Sequence, residues 1–131
     1  MKKTTILICM LFFAFLTFNT SCKSSEEEDS FSILGNWNIS MTYAETYVYT
    51  GGIITFAGSE TSGLVSVNFP PDTEIGAGPY TVSGNSISFT INWPDAEWID
   101  TCTGTINTDN SMNGTLVENP GNTPGTWTCT R

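Results

Sequence analysis

The stretch Gly35–Tyr43 constrains this chain most strongly, because its side chains alternate strictly between two kinds. Trp37 and every second residue after it up to Tyr43 are large and apolar, whereas the residues between them are Asn, Ser or Thr. A period of two is typical of a β-strand that buries one face and exposes the other. Residues 127–131, the last five, repeat the alternation. We therefore predict that the first and last strands pair and close a small β-barrel.

The N-terminal segment has the organisation of a secretory signal. Lys2 and Lys3 precede an apolar run over residues 6–18, which is interrupted only by Thr17. About 18 or more apolar residues are needed to span a membrane, so we expect a cleaved signal peptide rather than a transmembrane helix.

The end of this segment, Thr20-Ser21-Cys22, resembles the lipobox of bacterial lipoproteins, in which the cysteine becomes the first residue of the mature protein. The sequence departs from that pattern at Asn19, where the family usually has Leu. The resemblance implies that residues 1–21 are a signal peptide, that Cys22 carries lipid and that the protein is anchored at the bacterial outer membrane. The alternative is a free secreted protein in which Cys22 is an ordinary thiol.

An acidic segment follows, and we expect residues 22–30 to form a flexible tether behind the lipidated cysteine. Residues 26–29 are Glu-Glu-Glu-Asp, and adjacent carboxylates without apolar neighbours do not pack into a core. The run resembles the acidic signal that sends some lipoproteins to the outer cell surface; the alternative is a solvated spacer. The fold then rests on a single domain, residues 31–131.

The balance of charge argues against two classes of partner. All of the 13 acidic residues lie beyond the signal, where only Lys23 and Arg131 are basic. An acidic surface repels the phosphates of nucleic acids and anionic lipid headgroups. We expect no nucleic-acid partner, and membrane contact only through the lipid anchor.

Two cysteines, Cys102 and Cys129, remain once Cys22 is lipidated and Cys9 leaves with the signal. Export through an oxidising compartment favours a disulfide between them, and we predict one. In a simple meander one strand separates them, which places them about 9–10 Å apart, whereas a disulfide needs Cα atoms within about 7 Å. A different strand order and two free thiols are therefore the alternatives.

The domain contains about eight short segments with one polar and one apolar face, and none with a useful helical period. Residues 83–85 form the turn of the clearest hairpin. Pro70-Pro71 ends the strand predicted at residues 64–69, because proline cannot donate a ladder hydrogen bond. Gly51-Gly52 marks either a turn or a bulge. Short strands joined by short turns fit an all-β, antiparallel up-and-down barrel, because closure removes exposed strand edges. A two-sheet sandwich is the alternative.

Gly35-x-Trp37 at the first strand, together with Arg131 after the last, resembles the pattern of lipocalins and the wider calycin group. In those barrels the Trp and the Arg cross the closed end, with the cation stacked on the ring. The chain is shorter than most lipocalins and lacks their second motif. The resemblance implies a lipocalin-like barrel whose closure depends on Gly35, Trp37 and Arg131.

The chain has no histidine, which removes the commonest general base, activator of nucleophiles and metal ligand. No cluster has the spacing of a metal site, so we expect neither a metal nor another cofactor. Asp95, Glu97 and Asp100 lie near two tryptophans, and paired acids flanked by aromatics can hydrolyse glycosides. We nevertheless expect no enzymatic activity, because such hydrolases usually need a larger scaffold, and we expect Asp100 at the barrel rim, within reach of water.

Aromatic residues on the inward face are the strongest functional signal. An eight-stranded barrel is just wide enough to be filled by side chains or to hold one small ligand, so a solid core and a cup are the alternatives. Trp93 and Trp98 flank a loop at one mouth and are the first expected contacts. The full predicted set of ligand-binding residues is Tyr43, Phe69, Tyr80, Phe89, Trp93 and Trp98.

These features predict a lipid-anchored, lipocalin-like protein of the envelope or cell surface that binds a small hydrophobic or amphipathic ligand. The alternative is a protein-interaction module, such as an inhibitor of an envelope or host hydrolase, whose acidic loops contact a basic protein partner. An enzyme is the third alternative.

Overall fold

The computed structural model describes residues 31–131, in which there are eight β-strands and no helix. No helix that is long and apolar enough to cross a membrane is found within this described range. The predicted signal peptide, the predicted lipidation of Cys22 and the predicted tether lie outside the described residues. The strands are β1 (Gly35–Tyr43), β2 (Tyr47–Gly58), β3 (Ser62–Asn68), β4 (Gly76–Ser83), β5 (Ser86–Trp93), β6 (Trp98–Thr108), β7 (Ser111–Asn119) and β8 (Thr123–Thr130).

Each strand pairs antiparallel with the next, and β1 pairs with β8, so that the sheet closes into an up-and-down barrel. At the seam Ile39 lies opposite Cys129, and Met41 lies opposite Trp127. All four side chains are buried, because the alternation in both strands turns the same face inward. The predicted all-β barrel and its seam are confirmed, and the sandwich alternative is wrong.

A β-bulge in β2 resolves the role of Gly51-Gly52. Ile39 lies opposite Gly52, whereas Met41, two residues further along, lies opposite Tyr49. Gly51 has a φ of 73°, a left-handed conformation that glycine adopts without steric cost. A Cβ on Gly52 would collide with the ring of Phe69. The glycine pair therefore forms the bulge, and the turn between β1 and β2 is at residues 44–46.

Apolar side chains from all eight strands fill the interior. Full burial of one such side chain contributes about 1.5–3 kcal/mol, so their sum is the main favourable term that closes the barrel. The buried apolar residues are Ile33, Trp37, Ile39, Met41, Tyr43, Ile54, Phe56, Val65, Val67, Tyr80, Ile87, Phe89, Ile91, Trp93, Cys102, Ile106, Met112, Leu116, Trp127 and Cys129.

Residues 31–34 cover one end of the barrel, which we call the closed end. Ile33 is fully buried, and its carbonyl oxygen accepts a hydrogen bond from Trp37 Nε1 at 2.8 Å. The guanidinium carbon of Arg131 lies 4.3 Å from the centre of the Trp37 ring, and its nitrogens donate to carbonyl oxygens of the covering segment. Gly35, with a φ of 98°, lies against Arg131. This is the arrangement that the lipocalin resemblance implies.

The predicted disulfide between Cys102 and Cys129 is not formed, and both residues are free, buried thiols. The strand order is the simple meander, but Cys102 lies opposite Leu116 on β7 and Cys129 lies opposite Met112. Four residues of β7 separate these two levels, which is about 13 Å along the strand. The disulfide prediction is wrong because the two cysteines lie at different heights in the barrel. The alternation indicates that both face inward, but it carries no information about height.

Candidate functional site

The end opposite the covering segment, which we call the open end, collects most of the candidate site residues. Strands β1, β3, β5 and β7 end there, and β2, β4, β6 and β8 begin there. Because alternation sends every second side chain inward, several of these strands deliver an aromatic residue to the same level. Trp93, at the end of β5, lies directly opposite Trp98, at the start of β6.

A cavity of about 180 Å³ lies at this end, and we call it the open-end cavity. Its rings contact one another: the centres of Tyr43 and Tyr49 are 5.8 Å apart, and those of Phe69 and Trp93 are 6.3 Å apart. Contacts of this kind hold aromatic side chains in a defined geometry. The cavity is lined by Tyr43, Tyr49, Phe69, Asp72, Glu74, Trp93, Ala96 and Trp98.

A second hollow, of about 250 Å³, adjoins the open-end cavity and shares Tyr43, Tyr49 and Trp98 with it. Its remaining walls come from Ala44 in the β1–β2 turn, Tyr47 at the start of β2, Glu118 and Thr123. The open end therefore presents two adjoining hollows around the same three aromatic side chains.

Asp100 is a fully buried charged residue beneath the cavity. Its Oδ2 accepts a hydrogen bond from the Tyr43 hydroxyl at 2.6 Å and another from Trp93 Nε1 at 2.8 Å. Both donors line the open-end cavity. The prediction that water reaches Asp100 at the rim is wrong, because these two rings close over the carboxyl group.

Burial dominates the ionisation of this network. It raises the pKa of Asp100, and the hydrogen bonds from Tyr43 and Trp93 oppose that rise because they stabilise the carboxylate. Burial, followed by the hydrogen bond to Asp100, raises the pKa of Tyr43 far above its ordinary value. The Tyr43 hydroxyl therefore stays protonated and acts as a donor to the carboxyl group.

Two buried polar atoms at the open end have no hydrogen-bond partner within residues 31–131: Asp100 Oδ1 and Trp98 Nε1. The indole nitrogen can only donate, whereas an ionised carboxylate can only accept. Buried polar atoms in proteins are nearly always hydrogen-bonded. Both exceptions among residues 31–131 lie at the open end.

Four of the six predicted ligand-binding residues line the cavity, and two do not. Tyr80 and Phe89 face inward as predicted but lie nearer the closed end. The Tyr80 hydroxyl donates to the carbonyl oxygen of Ser59 in the β2–β3 turn, and the Phe89 ring centre lies 5.0 Å from that of Trp127. Both residues belong to the core. Those that line the cavity are Tyr43, Phe69, Trp93 and Trp98.

Four lining residues were not predicted from the sequence. Alternation counted back from the buried Ile54 puts Tyr49 outside, and Tyr49 reaches the mouth only because the bulge brings it opposite the inward-facing Met41. Gly51-Gly52 was the available signal for that shift. Asp72, Glu74 and Ala96 lie in loops, about which alternation says nothing.

The acidic residues of the barrel are concentrated at the open end. At the closed end Glu60 and Asp109 lie in turns, and the only basic residue of 31–131, Arg131, lies there too. Within the described range no group of three or more acidic or cysteine side chains is placed to hold a metal ion. The acidic residues of the open end are Glu45, Asp72, Glu74, Asp95, Glu97, Asp100 and Glu118.

No protein-family model matches the chain, and no curated protein matches it. Among solved structures, the redesigned β-barrel b11L5F_LGL has a TM-score of 0.66 and 16% identity, over 75% of this chain and 90% of that one. Two further redesigned β-barrels, mFAP1 and mFAP0, have TM-scores of 0.57 and 0.55 and identities of 14% and 15%. They match 75% of this chain and 94% and 97% of their own, and both were solved bound to DFHBI. The similarity shows a shared barrel fold.

Proposed function

We propose that this chain is a binding protein for a small, partly apolar molecule and that the open-end cavity is its site. The observation that carries the proposal is an unpaired buried polar atom, Trp98 Nε1, on a residue that lines an aromatic cavity. An unpaired buried polar atom costs about 1–3 kcal/mol, which a molecule that pairs with it recovers. An apolar pocket with a few converging polar groups is the usual form of a small-molecule site.

The dimensions of the cavity define the kind of ligand. Sites for drug-sized molecules measure about 300–1,000 Å³, whereas the open-end cavity measures about 180 Å³. Core side chains such as Phe89 and Trp127 occupy the interior below it. The ligand is accordingly a small molecule, seated at the mouth rather than in a deep calyx. Two redesigned barrels of the same fold were solved bound to DFHBI, which supports small-molecule binding in general but does not indicate where the ligand lies in this chain.

Tryptophan fluorescence tests the proposal, because Trp93 and Trp98 line the cavity. Titration of the purified protein with small aromatic alcohols and amines should give a saturable change in emission. Trp98→Ala should weaken binding by about tenfold or more, as expected for a central aromatic contact. Ile99→Ala, at the exposed neighbouring position, is the matched control and should keep the affinity. Saturable binding that Trp98→Ala leaves unchanged would contradict this site.

We further propose that the function is binding rather than catalysis. The sequence has no histidine, and the three acids that could act together differ in environment. Asp95 and Glu97 are exposed near the β5–β6 turn, whereas Asp100 is buried. A glycosidase needs two carboxyl groups that face one bond. Hydrolysis of an aryl glycoside by the purified protein, abolished in Asp100→Asn, is the result that would reverse this proposal.

For the cellular location we propose a lipid anchor on Cys22 at the bacterial outer membrane, with the acidic segment 26–29 presenting the barrel at the cell surface. The order of basic, apolar and cysteine residues in the N-terminal sequence supports the anchor. A labelled fatty acid should enter the protein expressed in a bacterial host, and Cys22→Ser should abolish the labelling. Cys9→Ser, within the signal, is the control that should retain it. Protease digestion of intact cells tests the surface exposure.

A second candidate function is the binding of a basic protein, such as an envelope or host hydrolase. The acidic residues of the open-end loops, among them Glu45, Asp95 and Glu97, are exposed and favour it. An interaction of this type should weaken steeply between low and high salt. A panel of basic hydrolases that shows neither inhibition nor salt-dependent binding would exclude it.

A further inference from the structure

We infer that the ligand of the open-end cavity is an organic cation: an amine or quaternary ammonium group carried on an apolar or aromatic body. The inference rests on the proposed function and makes it more specific. Three features of the open end support it, namely the rings of the cavity, the uncompensated charge around it and the buried carboxyl group beneath it.

The rings come first. The walls of the cavity are mainly aromatic, and the face of an aromatic ring attracts a cation that lies within about 6 Å of its centre. Trp is the strongest partner of this kind, and the cavity has Trp93 and Trp98 on opposite sides of one hairpin. A cation among several rings gains from each, whereas an anion of the same shape is repelled by each.

The second feature is negative charge without a positive partner. Asp72 and Glu74 line the cavity, and Glu74 Oε1 accepts a hydrogen bond from the backbone N–H of Asp95 at 2.9 Å, which fixes it at the rim. The only basic residue of 31–131, Arg131, lies on the Trp37 ring at the closed end. One sign of charge around a cleft raises the local concentration of ions of the opposite sign. The electrostatic field at the open end therefore favours a cationic ligand over an anionic one.

The third feature is Asp100. Its Oδ2 holds Tyr43 and Trp93, while Oδ1 has no partner within the barrel residues. Burial disfavours the ionised form of this carboxyl group, and an opposite charge nearby favours it. A ligand cation in the cavity, on the other side of Tyr43 and Trp93, supplies the charge that no side chain of 31–131 provides at this end. Hydrogen bonds to the carboxyl group also polarise the two rings, which strengthens their attraction for a cation.

Trp98 Nε1 adds a constraint on the rest of the ligand. This buried nitrogen has no acceptor within residues 31–131, and an indole nitrogen can only donate. It therefore pairs with a hydroxyl or carbonyl oxygen of the ligand and not with a second ammonium group. A small amine that also bears an oxygen acceptor meets both requirements.

Three matched probes test the inference: 2-(4-hydroxyphenyl)ethylammonium, 2-(4-hydroxyphenyl)ethanol and 3-(4-hydroxyphenyl)propionate, each of which carries a phenol oxygen for Trp98 Nε1 and is titrated into the purified protein at neutral pH with tryptophan fluorescence. They share an aromatic body and differ mainly in charge. We expect the ammonium compound to bind at least tenfold more tightly than the alcohol, and the carboxylate more weakly than both. Equal or tighter binding of the alcohol overturns the inference and leaves the proposed function standing. Binding of none of the three overturns both.

Two variants locate the origin of the selectivity. Asp72→Asn removes an exposed charge that lines the cavity, and Asp109→Asn removes an exposed charge in a turn at the closed end. Asp72→Asn should weaken the ammonium compound by about two- to fivefold, the range for one exposed charge pair, and leave the alcohol unchanged. Asp109→Asn should affect neither. An equal effect of the two variants on the ammonium compound, or no effect of Asp72→Asn, contradicts a cation held in this cavity.

Discussion

Asp100 shows how one buried carboxyl group links the stability of the barrel to pH. Burial raises its pKa in the folded protein above the ordinary value of 3.8. Between those two pKa values the folded state binds more protons than the unfolded state, so the free energy of unfolding falls as the pH rises through that interval. Asp100→Asn keeps an acceptor for Tyr43 and Trp93 but cannot ionise. We predict that this variant loses less thermal stability than the wild type from about pH 4 to pH 7.

Thermal melting at a series of pH values measures this effect. Asp109→Asn, which removes an exposed charge at the closed end, is the matched control and should follow the wild-type dependence on pH. If the melting temperature of Asp100→Asn changes with pH as steeply as that of Asp109→Asn, the carboxyl group of Asp100 does not contribute as predicted.

The two core cysteines should be chemically inert in the folded protein. Burial raises the pKa of Cys129 to about 12 and raises that of Cys102 further, and only the thiolate reacts with alkylating agents. We predict that neither residue is alkylated at neutral pH until the protein is unfolded in denaturant, and that both are alkylated then. Mass spectrometry of peptides that contain each cysteine reports the outcome. Protection of both in denaturant without a reductant would instead indicate a disulfide.

At the scale of one element, the bulge in β2 couples the fold to the cavity. Gly52 leaves room for the ring of Phe69 and the side chain of Ile39, and Phe69 lines the open-end cavity. Gly52→Ala should therefore force these neighbours apart and lower the free energy of unfolding by about 1–3 kcal/mol, the usual cost of overpacking. Urea unfolding measures the loss. Gly121→Ala, whose nearest contact is the end of the Thr123 side chain, should cost much less; equal costs would rule out steric crowding as the cause.

The strands also show what a period of two reveals and what it omits. Alternation identified the inward face of β1, because a strand with one buried face must place its apolar side chains on that face. The same alternation in the last five residues led to the predicted pairing of β1 with β8. It does not give the height of a residue within the barrel. Tyr80 and Phe89 were therefore predicted to contact the ligand but lie in the core, and Cys102 and Cys129 were predicted to pair but lie at different levels. Height depends on register, which turns and bulges set.

At the scale of the whole molecule, the two ends of the barrel have different chemistry. The closed end is covered by residues 31–34 and carries Arg131, which lies on the Trp37 ring. The open end is aromatic, acidic and has two unpaired buried polar atoms. The sequence predicted the aromatic part of this contrast from Trp93 and Trp98. It could not predict the charge contrast, because acidic residues that are scattered along the chain converge only after the loops are brought to one end.

Separation of the two ends leads to a prediction about Arg131. Its stacking on Trp37 and its hydrogen bonds to the segment 31–34 hold the closed end, so Arg131→Ala should lower the free energy of unfolding by about 1–2 kcal/mol. Arg131→Lys, which keeps the charge but not the planar guanidinium, should give an intermediate loss. Strand β1 alone spans about 30 Å, well beyond the screening length of about 8–10 Å at ordinary ionic strength. Neither variant should therefore change the affinity of 2-(4-hydroxyphenyl)ethylammonium for the open end. Urea unfolding and fluorescence titration of the same preparations measure both quantities; affinity that falls in step with stability would show that the ends are coupled through the core.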